Sequence, residues 1–585
     1  MSLLFSSLGV AFASTAKVSE IKLATDWPYP FHGNPFGAGA VGGAWWFAFE
    51  PFSYYIPQTG EYIPRLAESW KIEKGKVTIT LRKNAKWSDG KQFTAQDVVS
   101  SIAFIQAMWQ WPYEIETVKA INNNTVEFTL WKDAPQSFVH TILTDAAMGS
   151  LAPSHIYSKW LKQAQEVANL GKQIFYTQQA GKTVDDKTKK DYDSKSNALR
   201  KQINDFQPYK QLKKMVVVGS FEPTKISQSE MVLTLNKYYW NASKANIKRI
   251  VFRRWSSNEF VWASLISGEV DAAHPSMPKD VVDQLQLLNP KLKIKTVSDL
   301  SEIALVFNFK KDTFKDINLR KAIAFLVDKA KVRDVSVWQA FNADNYFTGI
   351  LRSMESSWVT ADTTKKMTQY KTNAKTAESI LTKAGYTKKG NQWYYPNGKP
   401  VQFTLSVYGP HNDWVLAARE LTQQLNNFGF KVEMKLIPEG MRDQVMKGGD
   451  YECAIEFGSA WWGYANPYTG YQRLYQADVA NITGFPAKVK YDTPWGKLSP
   501  FDLTEELRDV ANNQQKAIAV VQKLAYITNE YLPVVPLFEK ILPIYYSESR
   551  ITGWPSKTDA IWSLAPGGIE RVYNYLITEG KLKSK

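Results

Sequence analysis

Trp87-Ser88-Asp89-Gly90-Lys91-Gln92-Phe93-Thr94-Ala95-Gln96-Asp97-Val98-Val99-Ser100-Ser101 packs a turn, a helix cap and the start of a helix into one short run. Ser88-Asp89-Gly90 is turn chemistry. Thr94 to Asp97 has the spacing of a capping box, in which threonine accepts an orphan amide and the acid sits in the positive first turn. Val98, Val99, Ile102 and Ile105 follow at helical spacing, whereas Val77-Thr78-Ile79-Thr80-Leu81 upstream alternates as a strand does. Strand, turn and helix therefore alternate, the mark of an α/β chain. Outward from this run, Asn122-Asn123-Asn124 turns into a strand over Val126–Leu130. Asp316 opens a helix with the apolar face Leu319, Ile323, Leu326 and Val327, and Pro396-Asn397-Gly398 predicts a hairpin joining Trp393–Tyr395 to Val401–Val407. From about 156 to 214, Tyr157, Trp160, Leu161, Ala164, Val167, Ala168, Ile174 and Phe175 recur every three or four residues before the sequence turns polar and charged. That pattern predicts a helical hairpin with a solvated tip.

A chain of 585 residues exceeds what one core organises, so two or three domains are expected. Its 44% hydrophobic and 22% charged content is that of a soluble globular protein, and no apolar run is long enough to span a bilayer. Leu3 to Ala13 is a short apolar run ending Ala11-Phe12-Ala13, which reads as the remnant of an export signal over residues 1–16 and places the protein outside the cytoplasm, in the periplasm or at the cell surface. The single cysteine, Cys453, excludes an intrachain disulfide and a cysteine-based zinc site. The net charge of +16 mixes its signs along the chain, which speaks against a nucleic-acid interface.

Catalytic motifs fail on context. Gly37-Ala38-Gly39-Ala40-Val41-Gly42 has the dinucleotide spacing, but Pro28, Pro30 and Pro35 precede it where a buried strand is required. Gly181-Lys182-Thr183 lacks the first glycine of a phosphate loop, and the five histidines are scattered. No metal site, cofactor or catalytic residue is expected. Glycoside hydrolysis needs only two carboxylates and no motif, so a secreted glycoside-active enzyme stays as an alternative. The stronger signal is aromatic. Trp45-Trp46, Trp109-Gln110-Trp111 and Trp461-Trp462-Gly463-Tyr464 place paired rings in Gly- or Pro-containing segments, where flat rings suit sugar faces. Trp27, Asn34, Trp262 and Asn466 complete the candidate ligand-binding set.

A resemblance follows from motifs in series. Pro64-Arg65-Leu66-Ala67-Glu68-Ser69-Trp70, Thr78–Arg82 and the Trp87–Ser101 run resemble the signature of oligopeptide/dipeptide-type extracellular solute-binding proteins of ABC transporters. The likeness continues in order through Val218–Pro223, Asn236–Trp240, Ser267–Asp271, Leu319–Ile323, Ala377–Tyr386, Leu425–Val432 and Pro533–Phe538. It implies a two-lobed, periplasmic-binding-protein-like α/β fold with mixed sheets and an extra subdomain. Lobe I would comprise 17–65, 206–299 and 535–585, with a subdomain at 66–205 that carries a helical insertion at about 156–205. Lobe II would comprise 300–534. It further implies a monomer that encloses a small solute by hinge closure and delivers it to the membrane permease subunits of an ABC importer, with no catalysis. In peptide-binding members an aspartate four residues before a proline pairs with the peptide amine. Here Trp462-Gly463-Tyr464-Ala465-Asn466-Pro467 puts Gly463 at that position. Burying an ammonium without its partner costs about 3–5 kcal/mol. The expected ligand is therefore a neutral oligosaccharide, with an oligopeptide or dipeptide as the alternative.

Overall fold

The predicted capping box is formed. In the computed structural model, which describes residues 19–585 apart from 38, 39, 136, 207–210, 213–214, 276, 439, 463–465 and 512, helix Ala95–Trp109 starts with the Thr94 amide donating to Asp97 at 2.7 Å. The other Asp97 oxygen accepts the Ser154 amide at 2.7 Å and so ties the first helix to the start of the next long one. That second helix, Ser154–Gln179, returns through Asp186–Asn204 as the expected hairpin. Its face of Tyr157, Trp160, Ala164, Val167 and Ala168 is buried. The apolar run Leu3–Ala13 lies outside the described residues. Among the described residues no helix is long and apolar enough to cross a membrane.

Mixed sheets carry the rest. One sheet of 11 strands runs through both lobes, and a separate four-stranded antiparallel sheet combines Ala67–Glu73, Lys76–Leu81, Thr125–Leu130 and Ile115–Asn122. The side chains sort into two large cores. The first gathers residues from Ile21 to Val297 and from Ile544 to Leu582; the second runs from Leu300 to Phe538. We propose that the lobe limits lie at these two crossings. The four-stranded sheet does not close a core of its own, because Val77, Ile79, Val126 and Phe128 pack into the first core.

The turn at Pro396-Asn397-Gly398 forms, with the Tyr395 amide donating to the Lys399 carbonyl at 2.8 Å. The expected hairpin forms over its first residues, where Tyr394 bridges Pro400 antiparallel and the Val401 amide donates to the Trp393 carbonyl at 2.8 Å, but it does not continue along the second strand. Gln392–Tyr394 pairs with Thr387–Lys389, and Gln402–Tyr408 pairs in parallel with Lys431–Ile437 along its whole length. That longer ladder, distant in sequence, takes over where the short hairpin ends.

Two long antiparallel strands, Leu292–Phe307 and Val534–Ser547, join the lobes. Their register breaks between Ser298 and Glu302, where Leu300 takes a left-handed φ of +56°. Such a conformation costs a non-glycine residue on the order of 1 kcal/mol. Just beyond the break, Glu302 faces Glu539 across the ladder, and its Oε1 is buried without a hydrogen-bond partner. Burial pushes the Glu302 carboxyl up to about 8; the Ser459 amide opposes this, while Glu539 and Glu355 reinforce it. The folded chain thus holds Glu302 protonated at pH values where the unfolded chain ionises it. The resulting stability is complete below the ordinary carboxyl value of 4.5 and is lost as pH rises toward 8. Melting temperature should fall between pH 5 and pH 8, and Glu302→Gln should reduce that fall. An unchanged pH slope in the variant would refute the assignment.

Candidate functional site

The two lobes face each other across a cavity of about 200 Å³. Trp46, Tyr54, Tyr55, His140, Asp145 and Arg571 line it from the first core's side; Leu300, Trp461 and Trp462 line it from the strand break and the second. The strand break itself positions the tryptophan pair. The Leu300 carbonyl accepts the Trp461 amide at 2.8 Å, and the Asp299 carbonyl accepts the Trp462 indole N–H at 3.0 Å. Trp462 packs edge-on against Phe457 at 4.8 Å, with the Arg473 guanidinium 5.6 Å from its ring centre. On the opposite wall the Arg571 guanidinium lies 4.8 Å from the Trp46 ring centre. Trp462 also borders a groove of about 770 Å³ on the second lobe, flanked by His411, Arg442 and Glu456.

Polar groups on the wall are fixed from behind. Tyr62 Oη and His140 Nδ1 are 2.8 Å apart, and the His140 ring meets Tyr55 edge-on at 4.7 Å. Tyr54 Oη accepts from Asn574 at 3.0 Å, and burial pushes its phenol up to about 12, so it stays protonated. Asp145 Oδ1 accepts the Ala147 amide at 2.8 Å, and burial raises its carboxyl above the usual range. Aromatic residues and polar residues thus line a shared space. Among the described residues no cluster of His, Cys, Asp or Glu is arranged to hold a metal ion.

Of the sequence candidates, Trp46, Trp461 and Trp462 meet at this cavity. They are not equivalent: Trp461 is 1% exposed and donates to Ser459 Oγ at 3.0 Å, whereas Trp462 is 40% exposed. The others do not line the cavity. Trp45 packs on Phe49 and Trp109 within the first core, and Trp111 meets Phe138 edge-on. Trp27 is buried and donates to the Ser227 carbonyl at 3.1 Å. Asn34 donates to Asn204 and accepts the Phe36 amide, a turn inside the fold. Trp262 packs on a small third cluster around Val261 and Leu265. Asn466 caps helix Pro467–Tyr475 and donates to the Ala511 carbonyl at 3.1 Å. Tyr464 and Gly463 lie outside the described residues. These placements share one physical reason: large rings and short amides satisfy packing and capping at least as readily as they meet ligands. Tyr54-Tyr55 was missed although it is itself a ring pair; His140, Asp145 and Arg571 carry no local signal.

The glycine-rich segment is also structural. A Cβ on Gly42 would lie 2.5 Å from the Asp26 carbonyl, so this glycine serves close packing.

Residues 61–481 match the family described as bacterial extracellular solute-binding proteins, family 5. The chain belongs to that family. Among relatives, it is 24% identical over 377 residues to the periplasmic oligopeptide-binding protein OppA of Salmonella typhimurium, a match that covers 59% of this chain and 57% of that protein. It is 23% identical over 503 residues to the periplasmic murein peptide-binding protein MppA of Escherichia coli, covering 82% and 80%. A solved periplasmic oligopeptide-binding protein of an oligopeptide ABC transporter from Thermotoga maritima superposes with a TM-score of 0.72 at 20% identity, over 97% of this chain and 99% of that one. The mannohexaose-bound structure of the same protein gives 0.64 at 19% identity, over 97% and 98%. The shared architecture is that of two-lobed periplasmic binding proteins. The family's description and the relatives' names are those of extracellular or periplasmic solute-binding proteins.

Burial separates the adjacent tryptophans of this family-5 chain in a measurable way. Trp461→Ala should cost about 3–5 kcal/mol of stability, as loss of an enclosed ring does. Trp462→Ala should cost less than about 1 kcal/mol, since much of its ring is in solvent already. Denaturant unfolding of both variants checks this, and equal losses would contradict it.

Proposed function

We propose that this family-5 protein is the extracytoplasmic solute-binding component of an ABC importer and that it captures an oligosaccharide between its lobes, acting as a monomer that passes the solute to permease subunits. The observation that carries the reading is the cavity wall, to which Trp46 and Trp462 contribute from the two sides together with Tyr54, Tyr55 and His140. A sugar offers the matching surface, apolar on its C–H faces and polar at its rim, and each stacked ring contributes on the order of 1 kcal/mol. The groove beyond Trp462 gives a chain of several sugar rings room to continue. The Thermotoga protein, whose mannohexaose-bound structure has the same fold, lends the reading support.

A peptide is the second reading. Asp145 and Arg571 both line the cavity, and an acid and a base there suit the two ends of a short peptide. The relatives named for peptides favour the same alternative.

A thermal-shift and calorimetry panel of mannose- and galactose-based oligosaccharides against di- to hexapeptides decides between them, since ligand raises the melting temperature by mass action. Oligosaccharides should bind at micromolar or tighter Kd and emerge uncleaved after a day. Trp462→Ala should weaken them by about 1–3 kcal/mol, roughly fivefold to 150-fold, with the fold retained. Peptide binding without any response to sugars would reverse the choice, and turnover to shorter products would favour the hydrolase.

A further inference from the structure

We propose that Arg571 receives a carboxylate of the bound ligand, so that the solute carries a carboxylate group. This inference rests on the cavity being the ligand site. It departs from the neutral sugar expected from sequence, and it starts from an imbalance in how this chain treats its guanidinium groups.

Arg65 is enclosed and satisfied: it meets Glu50 at 2.8 Å and Glu579 at 3.1 Å, and donates to Tyr239 and Thr578. Arg320 donates to three backbone carbonyls, at Phe314, Lys315 and Tyr531. Arg253 and Arg473 each pair with acids. Arg571 differs from all of these. Its Nε is buried without a hydrogen-bond partner, as are those of Arg253, Arg320 and Arg473, but alone of these five arginines its guanidinium makes no side-chain hydrogen bond or ion pair among the described residues. The group instead lies over Trp46, with Nη2 3.0 Å from where a Gly567 Cβ would stand, at the edge of the interlobe cavity.

Nearby acids do not complete it. Asp145 lines the same cavity but is engaged by the Ala147 amide, and Glu570 accepts from Thr25. Neither forms an ion pair with Arg571, although both bias its charge from a distance. Burial pulls the guanidinium down to about 10, which leaves it charged at neutral pH but poorly solvated. A planar cation with its donor fork available matches the two oxygens of a carboxylate, and the surrounding low dielectric strengthens the pairing. The Trp46 ring, 4.8 Å from the guanidinium carbon, restrains the cation beside the cavity. The carboxylate could belong to a uronic-acid ring or to a peptide C-terminus, and the chemistry at Arg571 is the same.

Two matched pairs test this by calorimetry: trigalacturonate against its carboxyl-reduced galactotriose, and trialanine against trialanine amide. The acidic member of one pair should bind at least tenfold more tightly than its neutral match, and the pair that responds identifies the source. Arg571→Gln should erase the preference, and Arg571→Lys, which keeps a cation, should retain part of it. Equal affinities within both pairs in the wild-type protein overturn the inference without needing any variant, as does a preference that survives Arg571→Gln. If neutral oligosaccharides of the wider panel bind and neither acidic probe does, the inference falls while the sugar reading stands. No binding by any sugar or peptide overturns both.

Discussion

The connection between the lobes rests on one antiparallel strand pair and on the break in its ladder. Before the break, Leu292–Ser298 and Ile541–Ser547 bind the sheet of the first lobe; after it, Ile303–Phe307 pairs with the strand Cys453–Ala460 of the second. The break falls at Asp299 and Leu300, and the carbonyls of those two residues hold Trp462 and Trp461. Ser298 and Ser353 donate to Glu539 beside it, while Glu302 stands opposite. A rotation of one lobe against the other would be absorbed at this irregularity, where ladder bonds are already missing. The same movement would carry the tryptophan pair, because the pair hangs from the backbone that moves.

That coupling explains why the adjacent tryptophans have different roles. Trp461 is packed against Ser459 and close to Gly470, so that it fixes the second-lobe strand to its helix. Trp462 projects from that anchor with one face toward Arg473. An exposed ring on a rigid base loses little conformational freedom when a ligand stacks on it, which is the condition under which stacking is most favourable. Trp46 is held in the same manner from the first lobe, with Arg571 on its face and Gly568 against its indole edge.

What the sequence disclosed followed from how local each interaction is. The Thr94–Asp97 cap, the Asp316 cap and the helical hairpin depend on neighbours within a few residues, and all three are present. The hairpin at Pro396 forms only over its first residues, because the partner of Gln402–Tyr408 is set by a distant parallel strand. Ring pairs marked the cavity at Trp46 and Trp461-Trp462 but also marked core positions at Trp45 and Trp109, since composition does not say which face of an element is covered. Arg571 was invisible. It stands at the start of helix Glu570–Thr578, and only the folding of the C-terminal segment against Trp46 gives it a role.

The cavity draws its groups from both lobes, and this constrains how a ligand can act on the protein. A solute held by Trp46 and Arg571 alone would bind the first lobe equally well whether the lobes were near or far, and would shift nothing. Contacts from Trp462 on the second lobe exist only when the lobes approach, so that their energy is available specifically to the closed arrangement. A stack of on the order of 1 kcal/mol biases such an equilibrium only about fivefold, and a near-complete shift requires about 5.5 kcal/mol of differential affinity. Stacking on Trp462 therefore cannot complete closure by itself. The remainder must come from groups that engage across the gap, and the groove past Trp462, with His411, Arg442 and Glu456 on its walls, is where a longer ligand would find them. On these grounds the architecture favours an extended solute over a single small ring.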